Sequence, residues 1–170
     1  MTFLELSTRR VAILDGAMGT RLMERGASGC LEALCLTDPA AVASVHEEYL
    51  EAGADIVTTD TMCADALCLE RYGLEARSYE IARAGAEIAR AAASKYSSEE
   101  RPRFVAGSVG PTTRNLSLAT DIGPEQLAEV YSDVIRGLLD GGVDIILVET
   151  AMDAANVKVA VEECRKLDKS

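Results

Sequence analysis

The chain has 170 residues and a formal net charge of -11, with 28 acidic and 17 basic side chains. This length suits one domain with a sizeable hydrophobic core. Because the basic residues are scattered rather than clustered, the composition argues against nucleic acid or an anionic membrane as a partner. No apolar run approaches the roughly 20 residues that span a bilayer.

The N-terminal residues contain an early acid and no long apolar region, which excludes a secretory signal there. Five cysteines, an odd number, do not follow the pattern of a small disulfide scaffold. These features predict a cytoplasmic protein whose cysteines are reduced.

The first predicted element is a short buried strand at residues 11–14, which opens into a loop that carries Gly16. A helix is predicted over residues 39–52, because Asp38 suits the N-cap, a proline follows it, and Gly53 suits the exit. The intervening residues give no clear pattern beyond a short helix near residue 21.

His46 is the only histidine of the chain and lies beside the apolar stripe of the helix predicted over residues 39–52. We interpret it as a half-buried helix residue rather than a ligand or a base. Since a Ser-His-Asp mechanism would have to use it, that class of enzyme is set aside.

The remaining elements alternate between strand and helix. Strands are predicted at residues 54–59, 104–109 and 144–148. Helices are predicted at residues 62–72 and 78–96, from Pro124, and from near Asp153 to the end of the chain. The last strand, an unbroken apolar run, is predicted to be buried on both faces.

An internal repeat links two of these strands. Residues 53–57 match residues 142–146, and the same register aligns Asp60 with Glu149. A threonine follows each acid. The sequence therefore contains two related units that end in the same acid-threonine pair.

The alternation of strands and helices indicates an α/β fold with a parallel sheet and right-handed crossovers. An open doubly wound sheet and part of a (β/α)8 barrel both fit the pattern. A full barrel takes about 250 residues, so the chain would hold about half of one.

In either fold, ligands bind at the carboxyl ends of the strands. The residues at those ends are Asp15, Asp60 with its neighbouring threonines, Ser108 and Glu149. Such an acidic group could bind Mg²⁺, hold the ammonium group of an amino acid, or supply an acid/base pair. The residues alone do not decide among these.

The cysteines form two pairs of the same spacing, Cys30 with Cys35 and Cys63 with Cys68. Structural zinc sites favour pairs two to four residues apart, and helical residues five apart do not share a face. We therefore predict no metal site from these cysteines. Neither a dinucleotide fingerprint nor a P-loop is present.

Four segments resemble, in order, the motifs of the homocysteine S-methyltransferase family, which includes the homocysteine-binding module of cobalamin-dependent methionine synthase. Residues 14–20 resemble L-D-G-[GA]-M-G-T, and residues 51–61 resemble E-A-G-A-D-I-[IV]-x-T-N-T. Residues 105–112 resemble V-A-G-S-[IV]-G-P-T, and residues 141–153 resemble G-G-[AV]-D-[IL]-[IL]-x-[IFV]-E-T-x-x-D. The resemblance covers nearly the whole chain.

This resemblance implies a (β/α)8 barrel that binds homocysteine at its C-terminal mouth, with the sulfur on a zinc ion held by three cysteines. The thiolate then takes a methyl group from methylcobalamin, betaine or S-methylmethionine, which gives methionine. Position by position, Asp15 and Glu149 match residues that hold the amino-acid end of the substrate. Gly16, Thr59, Asp60 and Ser108 match positions of the same pocket.

Two departures qualify this expectation. Asp60 and Met62 stand where the family motif T-N-T-F has Asn and Phe. None of the five cysteines matches a zinc-ligand position, because those positions follow the fifth strand. The sequence therefore predicts a single partial domain over residues 1–170, about the first four (β/α) units, without the zinc-binding half.

Zinc, and cobalamin as a methyl donor, are thus expected only of the complete family fold. The open edges of a half-barrel favour self-association or a complementing half-barrel chain. The alternative function is a non-catalytic amino-acid-binding or assembly fragment. A third, unrelated possibility is an open α/β domain that binds Mg²⁺ through Asp15, Asp60 and Glu149.

Overall fold

A computed structural model describes residues 2–118 and 120–167. Its helices are α1 (Phe3–Ser7), α2 (Met18–Glu24), α3 (Leu34–Thr37), α4 (Pro39–Ala52), α5 (Ala66–Leu69), α6 (Ser78–Tyr96), α7 (Pro124–Asp140) and α8 (Ala154–Leu167). Its strands are β1 (Ile56–Thr58), β2 (Phe104–Val109) and β3 (Ile145–Val148). The prediction that α8 continues to the chain end concerns residues 168–170, which lie outside the described residues.

The three strands form one parallel sheet in the order β1-β2-β3. The long helix α6 connects β1 to β2, and α7 connects β2 to β3. The predicted α/β fold with parallel strands is confirmed. In this arrangement all three carboxyl ends lie at the same edge of the sheet.

The predicted boundaries of the long helices agree closely with the structure. Asp38 caps α4, its side chain accepting a hydrogen bond from the Ala41 amide at 3.2 Å, and Gly53 closes the helix with a φ of 110°. Residues 78–96 form α6 over the predicted range. The capping and exit residues account for this agreement, because they satisfy backbone groups that the helix leaves unpaired.

The main core lies between the sheet and the pair α6 and α7. An apolar stripe on α7 packs there, formed by Leu127, Tyr131, Val134, Ile135 and Leu138. The helices approach closely at Gly137, where a Cβ atom would lie 2.5 Å from the carbonyl oxygen of Tyr79. A substitution there would therefore push the two helices apart.

His46 is more deeply buried than the sequence indicated. Its side chain is fully buried on α4, and neither ring nitrogen has a hydrogen-bond partner among the described residues. Burial lowers the pKa of His46 to about 4, so the ring is neutral at physiological pH. The prediction of a half-buried side chain was wrong, because the ring fits inside the core as an apolar group.

The segment at residues 11–14 does not form the predicted buried strand. Only Leu14 makes a parallel bridge, to Ile56, and the Ile13 carbonyl accepts hydrogen bonds from both the Asp55 and Ile56 amides. Val11 is 85% exposed. The segment lies along the outer edge of β1, where its other side has no sheet neighbour among the described residues.

Two further expectations required correction. β3 is half-buried rather than buried on both faces, because within the described residues it pairs only with β2 and is an edge strand. Residues 62–72 are helical only from Ala66, since Asp65 caps α5 by accepting from the Cys68 amide at 3.0 Å. A short 3₁₀ turn then ends before Gly73.

The amino ends of the strands carry acids that are paired with arginine. Asp55 accepts two hydrogen bonds from Arg10, at 2.6 and 2.8 Å, and one from the Ile13 amide at 3.0 Å. The buried Arg103 guanidinium lies 3.5 Å from the same carboxylate. We call Asp55, Arg10 and Arg103 the Asp55 cluster. It attaches the N-terminal segment to β1 and to the residue before β2.

Asp144 occupies the equivalent place in the second repeat unit. Its Oδ2 atom accepts from the Val105 amide at 2.7 Å and also pairs with Arg90. In both units, therefore, the aspartate before the strand binds the backbone amide of a neighbouring segment. Among residues 2–118 and 120–167, no helix is both long and apolar enough to cross a membrane.

Candidate functional site at the carboxyl ends of the strands

A cavity of about 530 Å³ opens at the carboxyl ends of the strands. All six residues predicted for the site line it: Asp15, Gly16, Thr59, Asp60, Ser108 and Glu149. Leu14, Met18, Met62 and Leu147 supply apolar walls. The placement agrees with the sequence analysis, while the role of each residue in binding remains a prediction.

Asp15 follows the bridge at Leu14 and is held by the end of β1. Its two carboxylate oxygens accept hydrogen bonds from the Thr58 amide and the Thr58 hydroxyl, both at 2.8 Å. Burial, opposed by these hydrogen bonds and assisted by the nearby charge of Glu149, raises the pKa of Asp15 to about 6. The carboxylate has a fixed orientation but no cationic partner among the described residues.

Glu149 directly follows β3 and lies beside β2. The Ser108 hydroxyl donates a hydrogen bond of 2.6 Å to its Oε1 atom, and its own amide donates to the Val109 carbonyl at 3.0 Å. Thr150 has a positive φ of 55°, so the chain turns sharply away after the acid. These contacts direct the Glu149 side chain towards the cavity.

A set of hydroxyl hydrogen bonds fixes the ends of β1 and β2 beneath these acids. We call Thr59, Thr61 and Ser108 the hydroxyl ring. The Thr61 hydroxyl donates to the Ser108 carbonyl at 2.8 Å, the Ser108 amide donates to Thr59 Oγ1 at 2.9 Å, and the two threonine hydroxyls lie 2.6 Å apart. Ser108 therefore connects this ring to Glu149.

The ring is packed closely against α6. At Gly85 an added Cβ atom would lie 2.7 Å from Thr61 Cγ2 and 3.2 Å from Cys35 Sγ. Glycine at this position allows the helix to approach the strand ends.

The loop after Asp15 packs closely against α4. A Cβ atom at Gly16 would lie 2.9 Å from the Tyr49 hydroxyl oxygen.

Asp60 differs from the other two acids because its side chain is nearly unpaired. It is only 7% exposed, and its Oδ2 atom has no hydrogen-bond partner in residues 2–118 and 120–167. Burial, together with the charge of Glu32, raises the pKa of Asp60 to about 7. A buried polar atom without a partner is costly, and it indicates a place that a ligand can complete.

The cysteines and acids do not assemble into a metal centre. Within the described part of the chain, no three His, Cys, Asp or Glu side chains lie together in a way that could hold a metal ion. Asp15, Asp60 and Glu149 thus line one cavity without coming together as such a group. The donor groups present also do not fit a zinc ion held by cysteines.

Two residues of the site, Glu32 and Thr58, were not predicted individually from the sequence. Glu32 lines the cavity from the loop before α3, and no periodicity in that segment points to it. Thr58, which holds both oxygens of Asp15, was considered only as a neighbour of Asp60. A threonine that ends an otherwise apolar strand is the signal that could have identified it.

Comparison with known proteins identifies the relatives of this chain. The family model described as "Homocysteine S-methyltransferase" matches residues 12–170. The metallated form of the homocysteine methyltransferase MmuM from Escherichia coli superposes with a TM-score of 0.79 at 26% sequence identity, covering 95% of this chain and 61% of that one. The oxidized form of MmuM gives a TM-score of 0.78 at 27% identity, covering 95% and 60%.

The apo form of MmuM gives a TM-score of 0.73 at 26% identity, covering 95% of this chain and 57% of that one. The chain thus spans about 60% of the length of these solved structures and resembles the corresponding part of their barrel. Because the family model matches nearly the whole sequence, the chain belongs to the homocysteine S-methyltransferase family.

Proposed function

We propose that the cavity binds homocysteine by its amino-acid end, for zinc-dependent methyl transfer to the sulfur that gives methionine. The observation that carries this proposal is the pair of carboxylates, Asp15 and Glu149. Each is fixed by a hydroxyl donor and neither has a cationic partner among the described residues. An ammonium group placed between them would form charge-assisted hydrogen bonds with both.

The described residues act on one end of the substrate only. Asp15 and Glu149 bind and orient the ammonium group, and the apolar wall around Leu147 and Met62 suits the methylene groups of the side chain. The described cysteines do not fit a zinc site, so the metal and the methyl donor, cobalamin included, would need residues from outside this set. Residues beyond the 170 of this sequence, such as those of a complementing half-barrel chain, would supply them.

Calorimetry with L-homocysteine tests the binding step. Wild type is expected to bind, whereas Glu149→Gln, which removes the charge but keeps the shape, should lose roughly tenfold to hundredfold in affinity. Glu129→Gln on the exposed face of α7 is a matched control and should bind as wild type does. The absence of heat for wild type would overturn the proposal.

A second ligand separates recognition of the ammonium group from general apolar binding. 4-Mercaptobutyrate has the thiol and the carboxylate of homocysteine but lacks the amino group. It should bind much more weakly than homocysteine to wild type, and the Glu149→Gln substitution should change its affinity little. Equal binding of the two ligands would contradict a role of Asp15 and Glu149 in holding the ammonium group.

The alternative is a non-catalytic amino-acid-binding or assembly fragment, and turnover distinguishes the two. The assay combines the chain with zinc, homocysteine and each methyl donor class in turn. Methionine formation with stoichiometric zinc supports the enzymatic proposal. Binding without turnover supports the alternative only when a complementing half-barrel chain with the zinc cysteines is also present in the assay. We further propose that residues 1–170 form one partial barrel domain in the cytoplasm, where thiols such as Cys35 and Cys68 stay reduced.

A further inference from the structure

Asp60 is the acid of the cavity that the recognition of an ammonium group leaves unexplained. It lines the same cavity as Asp15 and Glu149, yet its Oδ2 atom is buried without a partner among the described residues. If it were ionised, a third carboxylate would repel the carboxylate of any bound amino acid. Its protonation state therefore decides whether it opposes or assists binding.

Burial and the charge of Glu32 both oppose a negative charge on Asp60. Glu32 approaches it from the loop before α3, and the Cys35 thiol of α3 donates to its backbone carbonyl at 3.5 Å. Across the cavity lie Asp15 and Glu149, and α6 presents Gly85 behind it. Among the described residues that line the cavity there is no Lys, Arg or His. Burial among acids favours the neutral carboxyl.

The cavity also has few side-chain protons to offer to an anion. The Thr58 hydroxyl donates to Asp15, the Ser108 hydroxyl donates to Glu149, and the Thr61 hydroxyl donates to the Ser108 carbonyl. These three hydroxyl groups already donate to acceptors within the protein and are not free to donate to a ligand. A neutral Asp60 adds one O–H donor that no described group accepts.

We propose that Asp60 is a specificity-determining residue, whose neutral carboxyl group donates a hydrogen bond to a carboxylate oxygen of the bound amino acid. The inference rests on the proposed function in taking an amino acid as the ligand. Asp15 and Glu149 bind the ammonium group, and Asp60 binds the adjacent carboxylate. The cavity then selects ligands that carry both groups on one carbon atom.

This arrangement makes binding depend on pH in two opposite ways. Ionisation of Asp15, with its pKa of about 6, strengthens the attraction for the ammonium group as the pH rises. Ionisation of Asp60, with its pKa of about 7, removes the donor and adds repulsion. Wild-type affinity should therefore pass through a maximum between pH 6 and pH 7 and then fall.

The test is calorimetry with L-methionine from pH 5 to pH 8, since this probe has no thiol that titrates. Asp60→Asn keeps an N–H donor at every pH, so its affinity should rise through about pH 6 and then remain constant. At pH 8 wild type should bind roughly tenfold more weakly than this variant. Asp133→Asn, on the exposed face of α7, is the matched control and should retain the wild-type maximum.

Asp60→Ala removes the donor altogether, so this variant should bind L-methionine weakly at every pH. Thermal unfolding verifies that each variant is folded. The same pH profile in wild type and Asp60→Asn, or equal affinities of the Asn and Ala variants, would overturn the role of Asp60 alone. The absence of L-methionine and L-homocysteine binding in all variants at every pH would instead overturn the proposed function, and this inference with it.

Discussion

The acids at the amino ends of the strands have cationic partners within the described part of the protein, and the acids at the carboxyl ends do not. At the amino ends, Asp55 and Asp144 each accept a hydrogen bond from a backbone amide and pair with arginine. At the carboxyl ends, Asp15 and Glu149 are held by hydroxyl groups, and Asp60 is nearly unpaired. Charges balanced within the protein stabilise the fold, whereas unbalanced charges remain available to a ligand.

The largest effect is expected from breaking the Asp55 cluster. Asp55→Asn should lower the free energy of unfolding by about 3 kcal/mol, because the guanidinium of Arg103 stays buried without its anionic partner. Urea unfolding at pH 7 measures the change. A loss below about 1 kcal/mol would show that the cluster does not stabilise the fold in this way.

The same cluster predicts how the protein responds to acid. Pairing with Arg10 lowers the pKa of Asp55 to about 2, so its stabilising contribution is complete above pH 4 and is lost as the pH falls towards 2. Wild type should lose stability steeply in that window. Asp55→Asn, having lost this group, should show a shallower decline, and parallel curves would contradict the assignment.

At the carboxyl ends of the strands, folding stability should depend on pH in the opposite direction. Burial raises the pKa of Asp60 to about 7. Between about pH 4 and pH 7 this carboxyl group is ionised in the unfolded chain but protonated in the folded protein, so folding stability falls as the pH rises through that range. Asp60→Asn should therefore stabilise the protein by about 2 kcal/mol at pH 8 and by little at pH 4. Thermal unfolding at both pH values measures this, and destabilisation at pH 8 would contradict it.

A smaller effect is expected at Asp144, which is half-exposed. Asp144→Asn should cost about 1 kcal/mol, because the Val105 amide keeps an acceptor while its partly exposed partner Arg90 can turn to water. Comparison with Asp55→Asn by urea unfolding shows whether burial accounts for the difference between the two repeat units. Equal losses would mean that it does not.

The smallest effect concerns the contact between Ser108 and Glu149. Ser108→Ala removes the hydroxyl that donates to Oε1 and should weaken homocysteine binding by roughly fivefold, about 1 kcal/mol, with little change in stability. Calorimetry measures the affinity and thermal unfolding the stability. Unchanged affinity would indicate that Ser108 does not position Glu149.

The sequence predicted those features that depend on local patterns. The strand predicted at residues 104–109 is the central strand of the sheet, and the periodic segment at residues 78–96 is a helix over its whole length. The internal repeat brought Asp60 and Glu149 to the same edge of the sheet, and the structure places both in one cavity. Period and topology are sufficient to locate such residues.

Features that depend on tertiary neighbours could not be predicted. The segment at residues 11–14 has the composition of a buried strand, but only pairing on both sides would have buried it. The two acids of the repeat look equivalent in sequence, yet Glu149 accepts a hydrogen bond from the Ser108 hydroxyl while Asp60 has the acid Glu32 nearby. Only the packed structure shows which partner each acid receives.

The glycine of α6 behind the hydroxyl ring carries a final consequence. Gly85 packs so closely against Thr61 that an added Cβ atom would clash with it. The Thr61 hydroxyl donates to the Ser108 carbonyl, and the Ser108 hydroxyl donates to Glu149. Gly85 does not line the cavity, yet a methyl group added there would push Thr61 away and disturb the hydrogen bonds that lead through Ser108 to Glu149. Changes of affinity can therefore arise from the back of this molecule, and a mutational scan confined to the cavity wall would not find them.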